Sequence, residues 1–205
     1  MDIVSNIALM LGVAWASGIK LYAAVLTLGI LGITGNAVLP DELEVLEHPL
    51  VIVVAGLMFV IEFFADKIPG LDSAWDALQT FIRIPAGAAL AAGAVGSIDP
   101  VIVTLAFLTG GAMSAGSHGA KMSSRLVINT SPEPFTNWGA SIAEDGIVVG
   151  GIYMALNYPI LFLAFLCVFV GLVIWLLPKI FHAMTRALTR VASFFRRGGL
   201  ESNPN

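Results

Sequence analysis

Two adjacent carboxylates, Glu144 and Asp145, lie inside an apolar segment that runs from Phe135 to Asn157 and is long enough to span a bilayer. At about 1.5 Å per residue, both side chains fall about 10 Å below the membrane surface. An ionised carboxylate at that depth costs several kcal/mol unless it is paired, protonated or hydrated. We therefore expect this pair to take part in binding a proton, an ion or a polar substrate.

The preceding apolar segment carries basic groups along one helical face. His118, Lys121 and Arg125 are spaced i, i+3 and i+7, and Asn129 continues the row beyond the predicted helix end. Lys121 and Glu144 lie at similar depths on consecutive antiparallel helices, so we expect them to form an ion pair. This pattern is compatible with a purely structural ion-pair network and with a site that handles a proton or substrate. The next helix is polar at the same spacing, at Asn137, Ser141, Glu144 and Asp145.

A third polar group surrounds the end of the second predicted span. Glu62 and Asp66 are one helical turn apart, and two carboxylates that close favour retention of a proton by one of them. Either residue is therefore a candidate proton carrier, and the alternative is an interfacial cluster whose side chains reach the headgroups. Lys20, deep in the first predicted span, also needs a partner, which the sequence does not identify. The group consists of Glu62, Asp66, Lys67, Asp72, Asp76 and Arg83.

The composition is that of an integral membrane protein. Of 205 residues, 58% are hydrophobic and 12% are charged, whereas about a quarter of the residues in a soluble domain are charged. Runs such as Leu50–Phe64 and Ile160–Leu177 exclude a soluble globular fold, and the single cysteine, Cys167, excludes an intrachain disulfide. We expect a lipid bilayer as the environment and a small ion or an anionic molecule as the ligand. We expect no nucleic acid and no cofactor, and a homo-oligomer is left open.

Six apolar segments predict an all-α, polytopic membrane fold with about six transmembrane helices. Asp99-Pro100 is a helix N-cap followed by proline at the first helical position, and Tyr158-Pro159 begins the last span. The third segment is short for a crossing. It either extends back through Trp75–Arg83 with a kink at Pro85 or forms a re-entrant element. An amphipathic stretch, Asp72–Arg83, would place Trp75 and Phe81 at the headgroup level. The predicted helices are Ile3–Ile33, Pro49–Asp66, Ile84–Ser97, Pro100–Val127, Thr136–Asn157 and Pro159–Phe181.

The charge distribution predicts the domain order and the orientation. A transmembrane domain, residues 1–182, is followed by an amphipathic interfacial helix, residues 183–197, and a disordered tail, residues 198–205. Lys179, Arg186 and Arg190 follow the last span, whereas residues 34–48 hold acidic residues without Lys or Arg. The positive-inside rule therefore places both termini in the cytoplasm. We expect a bacterial cytoplasmic (inner) membrane as the location.

Weak internal similarity indicates two three-helix units, residues 1–98 and 99–182. Ala14–Lys20 loosely resembles Ala112–Lys121, and Ile61–Asp66 resembles Ile142–Asp145. With an odd number of crossings, the second unit would be inverted relative to the first, an architecture found in many secondary transporters. Chance similarity between small-residue helices is the alternative.

Three polar motifs cover most of the chain. They are Glu62-Phe-Phe-Ala-Asp-Lys-Ile-Pro69 with Asp72, Trp75-Asp76, Thr80 and Arg83-Ile-Pro-Ala-Gly87; His118-x-x-Lys121-x-x-x-Arg125-x-x-x-Asn129-x-Ser-Pro-Glu-Pro134; and Asn137-x-x-x-Ser141-x-x-Glu144-Asp145. Together they resemble a family of small membrane proteins known as domain of unknown function 4126. The resemblance implies a polytopic membrane fold and no established activity. Lys20 stands where we would expect a polar but uncharged residue.

These patterns predict a small transporter or channel-like permease with a polar site between the second, fourth and fifth helices, near the cytoplasmic side. In that site the basic side chains would hold an anionic or phosphate-bearing group, and the acidic side chains would respond to protons or a cation. The basic set is His118, Lys121 and Arg125, and the acidic set is Glu62, Glu144 and Asp145.

Two other functions are compatible with the same residues. One is a membrane-embedded enzyme or binder of lipid headgroups, with an acidic metal site at Asp66, Asp72 and Asp76 beside Arg83. The other is a structural membrane subunit whose charges only pair with one another. The sequence contains neither a His-Glu-x-x-His motif nor a Gly-rich phosphate-binding loop, which favours a function other than catalysis.

Overall fold

A computed structural model describes residues 3–68, 70–96, 99–130 and 134–198, with side chains described up to residue 179 except at 134 and 177. Within these ranges every regular element is helical, which confirms the all-α prediction. The elements are α1 (Ile3–Ile33), a 3₁₀ helix (Asp41–Glu47), α2 (Pro49–Ala65), α3 (Leu71–Val95), α4 (Pro100–Ile128), α5 (Pro134–Asn157) and α6 (Pro159–Gly198).

The helices are suited to a membrane. Five of them are long and apolar enough to cross a bilayer, and a sixth span results if the 3₁₀ helix and α2, which meet at a 65° bend, are counted together. The chain is therefore an integral, polytopic membrane protein, as predicted. Asp99 caps α4, because its carboxylate accepts the N–H of Val101 at 2.7 Å. The orientation of the termini and the identity of the membrane stay predictions.

The third span extends back toward the N-terminus, as one of the two predicted alternatives has it. α3 is one helix of 25 residues that passes through Pro85, so the segment is neither short nor re-entrant. Proline removes one backbone hydrogen bond from a helix, and α3 packs closely against α1 and α4. Within the amphipathic stretch, Asp76 and Arg83 are buried inside the bundle, whereas Phe81 is exposed.

α1, α3 and α4 pack closely through small residues. A Cβ added to Gly87 of α3 would lie 2.5 Å from the Cβ of Ser114 in α4. The hydroxyls of Ser17 and Ser114 both donate to the Arg83 carbonyl, at 3.1 and 2.9 Å. Small residues let helix backbones approach in this way inside membranes. The polar side chains of three helices are thereby brought within direct contact.

α1 is the central helix, and its backbone is interrupted in the middle. It packs against each of the other five helices. Lys20 has extended angles, φ −146° and ψ 87°, inside an otherwise helical segment. A helix interrupted at membrane depth is tolerated where the freed backbone groups find partners within the protein. The interruption coincides with the one charged residue of α1 between Ile3 and Ile33.

The C-terminal helix is longer than predicted. α6 continues without a break to Gly198, so the predicted interfacial segment 183–197 is helical and continuous with the last span. Its side chains lie outside the described part of the chain, as do residues 199–205 of the predicted tail. The amphipathic placement of this segment and the inverted repeat therefore stay predictions.

The close approach of α1 to α4 predicts different outcomes for two glycines. A Cβ at Gly18 would overlap the Ser117 hydroxyl and the Ser114 carbonyl, whereas no described atom lies within 4 Å of a Cβ at Gly116. We expect Gly18→Ala to destabilise the protein by about 1–3 kcal/mol through overpacking. Gly116→Ala should be neutral or stabilising because alanine favours a helix. Thermal unfolding in detergent measures both, and equal melting temperatures would contradict the packing.

Candidate functional site

A buried set of acidic and basic side chains lies where α2 ends and α3 begins, and we call it the charge network. Its members come from α1, α3, α4 and α5 as well as from the end of α2, and N–O distances of 4.0 Å or less connect them. The carboxylates are Glu62, Asp66, Asp76, Glu144 and Asp145, and the cations are Lys20, Arg83, Lys121 and Arg125.

Lys121 is the centre of the network. Its ammonium nitrogen lies 3.1 Å from Asp76, 3.5 Å from Asp66 and 3.7 Å from Glu62. The expected contact with Glu144 is present at 3.5 Å. Lys121 on α4 thus contacts carboxylates of α2, α3 and α5, and also the carboxylate of Asp66, which lies just after α2.

Two arginines supply the directional contacts. Arg83 binds Asp76 through Nη1 at 2.8 Å and binds Glu62 through Nη2. Arg125 holds Glu144 with two parallel bonds, from Nε at 3.0 Å and from Nη2 at 2.8 Å. Bidentate guanidinium–carboxylate pairs fix geometry as well as charge. The closest cation of Glu144 is therefore Arg125 rather than Lys121.

Lys20 has the partners that the sequence did not identify. Its ammonium lies 2.7 Å from Asp66 and 2.9 Å from Asp145, and it donates to the Ser141 hydroxyl at 3.4 Å. The backbone interruption of α1 is located at this residue. Asp66 thus lies between two ammonium groups, that of Lys20 and that of Lys121.

A chain of hydrogen bonds connects the network to the loop ends of α3, α4 and α5. The Asn129 amide donates to both carboxylate oxygens of Asp72, at 3.0 and 2.9 Å. The Asn137 amide donates to the Asn129 carbonyl oxygen at 2.8 Å, and Arg125 donates to Asn137 at 3.3 Å. Asp72 therefore acts on the network indirectly, by fixing the position of Arg125.

His118 connects the network to the interrupted helix. Its Nε2 lies 2.8 Å from the Thr80 hydroxyl, and its Nδ1 lies 3.2 Å from both Arg83 Nη1 and the Gly18 carbonyl. Thr80 donates its own proton to the Asp76 carbonyl. The arrangement thus favours the tautomer in which Nε2–H donates to Thr80 and Nδ1 accepts from Arg83.

The structure corrects parts of the predicted site. Five helices form it rather than three, and Glu62 and Asp66 are fully buried, so the interfacial alternative is wrong. Lys67 is not connected to the network by a described ion pair: its ammonium donates to the Phe63 carbonyl at 3.2 Å and lies over the Phe63 ring. Thr80 belongs to the first polar motif but was given no role in the predicted site, although its i+4 spacing from Asp76 was a usable signal.

The network holds more acidic than basic side chains. Five carboxylates face four cations. Four buried carboxylate oxygens have no hydrogen-bond partner among the described residues: Glu62 Oε2, Asp66 Oδ1, Asp76 Oδ2 and Asp145 Oδ1, the last of which lies 2.9 Å from the Lys20 ammonium. In that same part of the chain, no group of three or more His, Cys, Asp or Glu residues is arranged to hold a metal ion. The acidic metal site considered at Asp66, Asp72 and Asp76 is therefore not formed.

The comparison with known protein families covers most of the chain. A family sequence model matches residues 7–179, a range that contains every member of the charge network. The chain belongs to this family, described as "Domain of unknown function (DUF4126)". Searches of curated proteins and of solved structures find no match to the chain. The function of this DUF4126 protein must therefore be argued from its own geometry.

The network has one accessible side. The side chains of Glu144 and Asp145 are 14% and 16% exposed, whereas the other members are at most 1% exposed. A cavity of about 360 Å³ adjoins Lys121 and Glu144 and has a largely apolar wall. α4 and α5 pack against each other only sparsely, so the contacts between them are chiefly ionic. The cavity wall includes Trp15, Ile19, Ile147, Phe165 and Phe169.

The network predicts unequal effects for two basic residues that are close in sequence. Arg83→Met leaves Glu62 and Asp76 without their guanidinium partner, and we expect a loss of about 3–5 kcal/mol in unfolding free energy. Lys67→Met serves as the matched control, since that ammonium contacts only Phe63 in the described structure. Reversible unfolding in mixed micelles measures both variants. Equal losses would show that Arg83 is not compensating buried carboxylates.

Proposed function

We propose that this DUF4126 protein is a small membrane transporter or channel-like permease whose charge network binds a cation that is transported or coupled to transport. The supporting observation is the excess of carboxylates over cations in a network buried among membrane-spanning helices. A buried charge without compensation is expensive at membrane depth. The network therefore favours uptake of a proton or a small cation.

The same geometry favours a cation over the anionic or phosphate-bearing substrate expected from the sequence. Each of the four cations already contacts at least one carboxylate, so an anion would have to compete with a protein carboxylate for every one of them. Such competition also leaves the displaced carboxylate buried and unpaired. The basic side chains are better explained as fixed compensating charges.

The far end of the helix bundle supports a cationic ligand as well. A cavity of about 650 Å³ is lined there by Glu42 and Asp99 together with small residues of α3 and α4. Residues 21–66 and 84–120 contain no Lys or Arg, so the loops at this end carry only acidic charge. A surface of one sign concentrates counter-ions at its mouth. Cations would therefore be attracted to this end of the protein.

Two features of the backbone are suited to conformational change. The interruption of α1 at Lys20 divides the central helix into two segments next to the network, and interrupted helices form ion sites in many transporters. The sparse packing between α4 and α5 means that breaking the Arg125–Glu144 pair releases much of the contact between those helices. We propose that α5 moves away from α4 when Glu144 changes its charge.

A structural membrane subunit is the second candidate, because every cation of the network has a carboxylate partner. Such a subunit needs the ion pairs, but it does not matter which helix carries the acid and which carries the base. Exchanging the charges with Lys121→Glu and Glu144→Lys together would then preserve cellular function. In a transporter the exchange moves the carboxylate from the partly exposed position 144 to position 121, whose side chain is only 1% exposed, and function should be lost.

Proton or cation flux in proteoliposomes tests the transport function. We expect the wild-type protein to dissipate an imposed pH gradient or potential faster than protein-free vesicles, and Glu144→Gln to return the rate to that background. The reason is that glutamine keeps the shape of Glu144 but can neither lose a proton nor attract a cation. Glu44→Gln is the matched control, since Glu44 is an exposed acid on the 3₁₀ helix.

Two results would contradict the proposal. One is a wild-type rate equal to that of protein-free vesicles with every cation supplied, including H⁺, Na⁺ and K⁺. The other is an unchanged rate in Glu144→Gln. Full cellular function in the charge-exchanged double variant, without any measurable flux, would favour the structural subunit.

A further inference from the structure

The five carboxylates of the charge network are not equally compensated. Asp66 Oδ2 contacts three cations, at 2.7, 3.5 and 3.7 Å. Glu144 has two hydrogen bonds from Arg125, and Asp145 contacts Lys20 at 2.9 Å and is partly exposed. These three acids are therefore well compensated by neighbouring cations or by partial exposure. The carboxylate that exceeds the number of cations is therefore one of the two acids that share Arg83, Glu62 or Asp76.

Of those two acids, Glu62 is the less compensated. Asp76 lies 3.1 Å from Lys121, whereas Glu62 lies 3.7 Å from it, and both contact Arg83. Both contacts to Glu62 reach the same oxygen, Oε1, while Oε2 is buried without a hydrogen-bond partner in the described structure, and Asp76 is arranged in the same way through Oδ1 and Oδ2. The longer distance to Lys121 is therefore what distinguishes Glu62 from Asp76. A glutamic acid also releases its proton slightly less readily than an aspartic acid. A proton on Oε2 would leave Oε1 free to accept from Arg83.

His118 is the other group that could hold the extra proton. A protonated imidazole would place a second positive charge 3.2 Å from Arg83 Nη1. Its described partners are the Thr80 hydroxyl and the Gly18 carbonyl, neither of which is charged. Repulsion by Arg83 and burial both oppose the imidazolium. The carboxylate is therefore the better site for the proton.

We propose that Glu62 carries a proton in the resting protein and exchanges it during transport, a step that rests on the proposed function. The charged groups around it are Arg83 and Asp76 on α3, Lys121 on α4, Lys20 on α1, and Asp66 just after its own helix. With Glu62 neutral, four ionised carboxylates balance four cations. The ligand of the network is then H⁺, which needs one oxygen rather than a coordination shell.

Lys121 connects this proton site to the accessible side of the network. Its ammonium lies 3.7 Å from Glu62 and 3.5 Å from Glu144, and Glu144 borders the cavity. A proton that leaves Glu62 and binds the Glu144 carboxylate changes which acid is neutral and leaves the total charge unchanged. Neutral Glu144 no longer attracts Arg125, so this transfer weakens the ionic contact between α4 and α5. From Glu144 the proton can be released into the cavity.

Infrared spectroscopy of the full-length protein in detergent tests the resting proton directly. A protonated carboxylic acid has a carbonyl stretch that a carboxylate lacks. We expect this band in the wild-type protein at neutral pH and its loss in Glu62→Gln. Glu44→Gln and His118→Gln should retain the band, because neither removes the proposed carrier. Absence of the band from the wild-type protein at neutral pH, or its persistence in Glu62→Gln, would overturn the proposal.

Flux measurements separate the resting proton from the transport cycle. We expect Glu62→Gln to lose H⁺ flux, while replacing Na⁺ by a bulky organic cation leaves wild-type flux unchanged. Normal flux in Glu62→Gln, or flux that requires Na⁺, would overturn the exchange step. A wild-type band at neutral pH without flux under any condition would support the resting proton and contradict the proposed transport function.

Protein stability gives a readout for the case in which a variant is lost on purification. Glutamine resembles a protonated glutamic acid in shape and charge, so Glu62→Gln should lower the melting temperature no more than Asp145→Asn does. Ionised Glu62 would instead make this substitution as damaging as Arg83→Met. Failure of Glu62→Gln to fold, when Asp145→Asn folds, would therefore also count against a proton on Glu62.

Discussion

Compensation of buried charge is the constraint on which the structure depends. An ionised group among membrane-spanning helices must be paired closely, and removal of one partner leaves the other exposed to the full desolvation cost. The close seam between α1, α3 and α4, where the Arg83 carbonyl accepts two serine hydroxyls, brings the basic and acidic side chains within reach of each other. Small residues and charged residues therefore act together. The glycines let the helix backbones approach closely, and the ion pairs require that close approach.

The interruption of α1 follows from the same constraint. Lys20 is in an extended conformation, and its ammonium contacts both Asp66 and Asp145. A gap in helical hydrogen bonding is itself costly in a membrane, unless polar groups of the protein take up the freed backbone atoms. The His118 ring packs against this interruption, with Nδ1 3.2 Å from the Gly18 carbonyl. The central helix therefore combines a backbone irregularity with a charge in one place, as the ion sites of many transporters do.

A network can be nearly complete and still be functional. The pairing of the four cations favours a rigid, structural role, whereas the fifth carboxylate and the four oxygens without hydrogen bonds leave an incomplete balance. Only the α5 acids are partly exposed, and α5 is joined to α4 mainly by ionic contacts. The uncompensated charge and the accessible side are therefore connected through Lys121. That connection is the reason why we propose a permease rather than a scaffold.

The amino-acid sequence alone determined the membrane class, the helical content, most helix limits and the identity of nearly every network residue. These follow from local properties: apolar run length, N-caps such as Asp99, and the i, i+3, i+7 spacing of His118, Lys121 and Arg125. The continuous α3 through Pro85, the partners of Lys20 and the sharing of Arg83 between Glu62 and Asp76 were decided by tertiary structure. The reason is physical. Periodicity fixes which residues share a face of one helix, but only helix packing fixes which faces meet and how much of each charge is compensated.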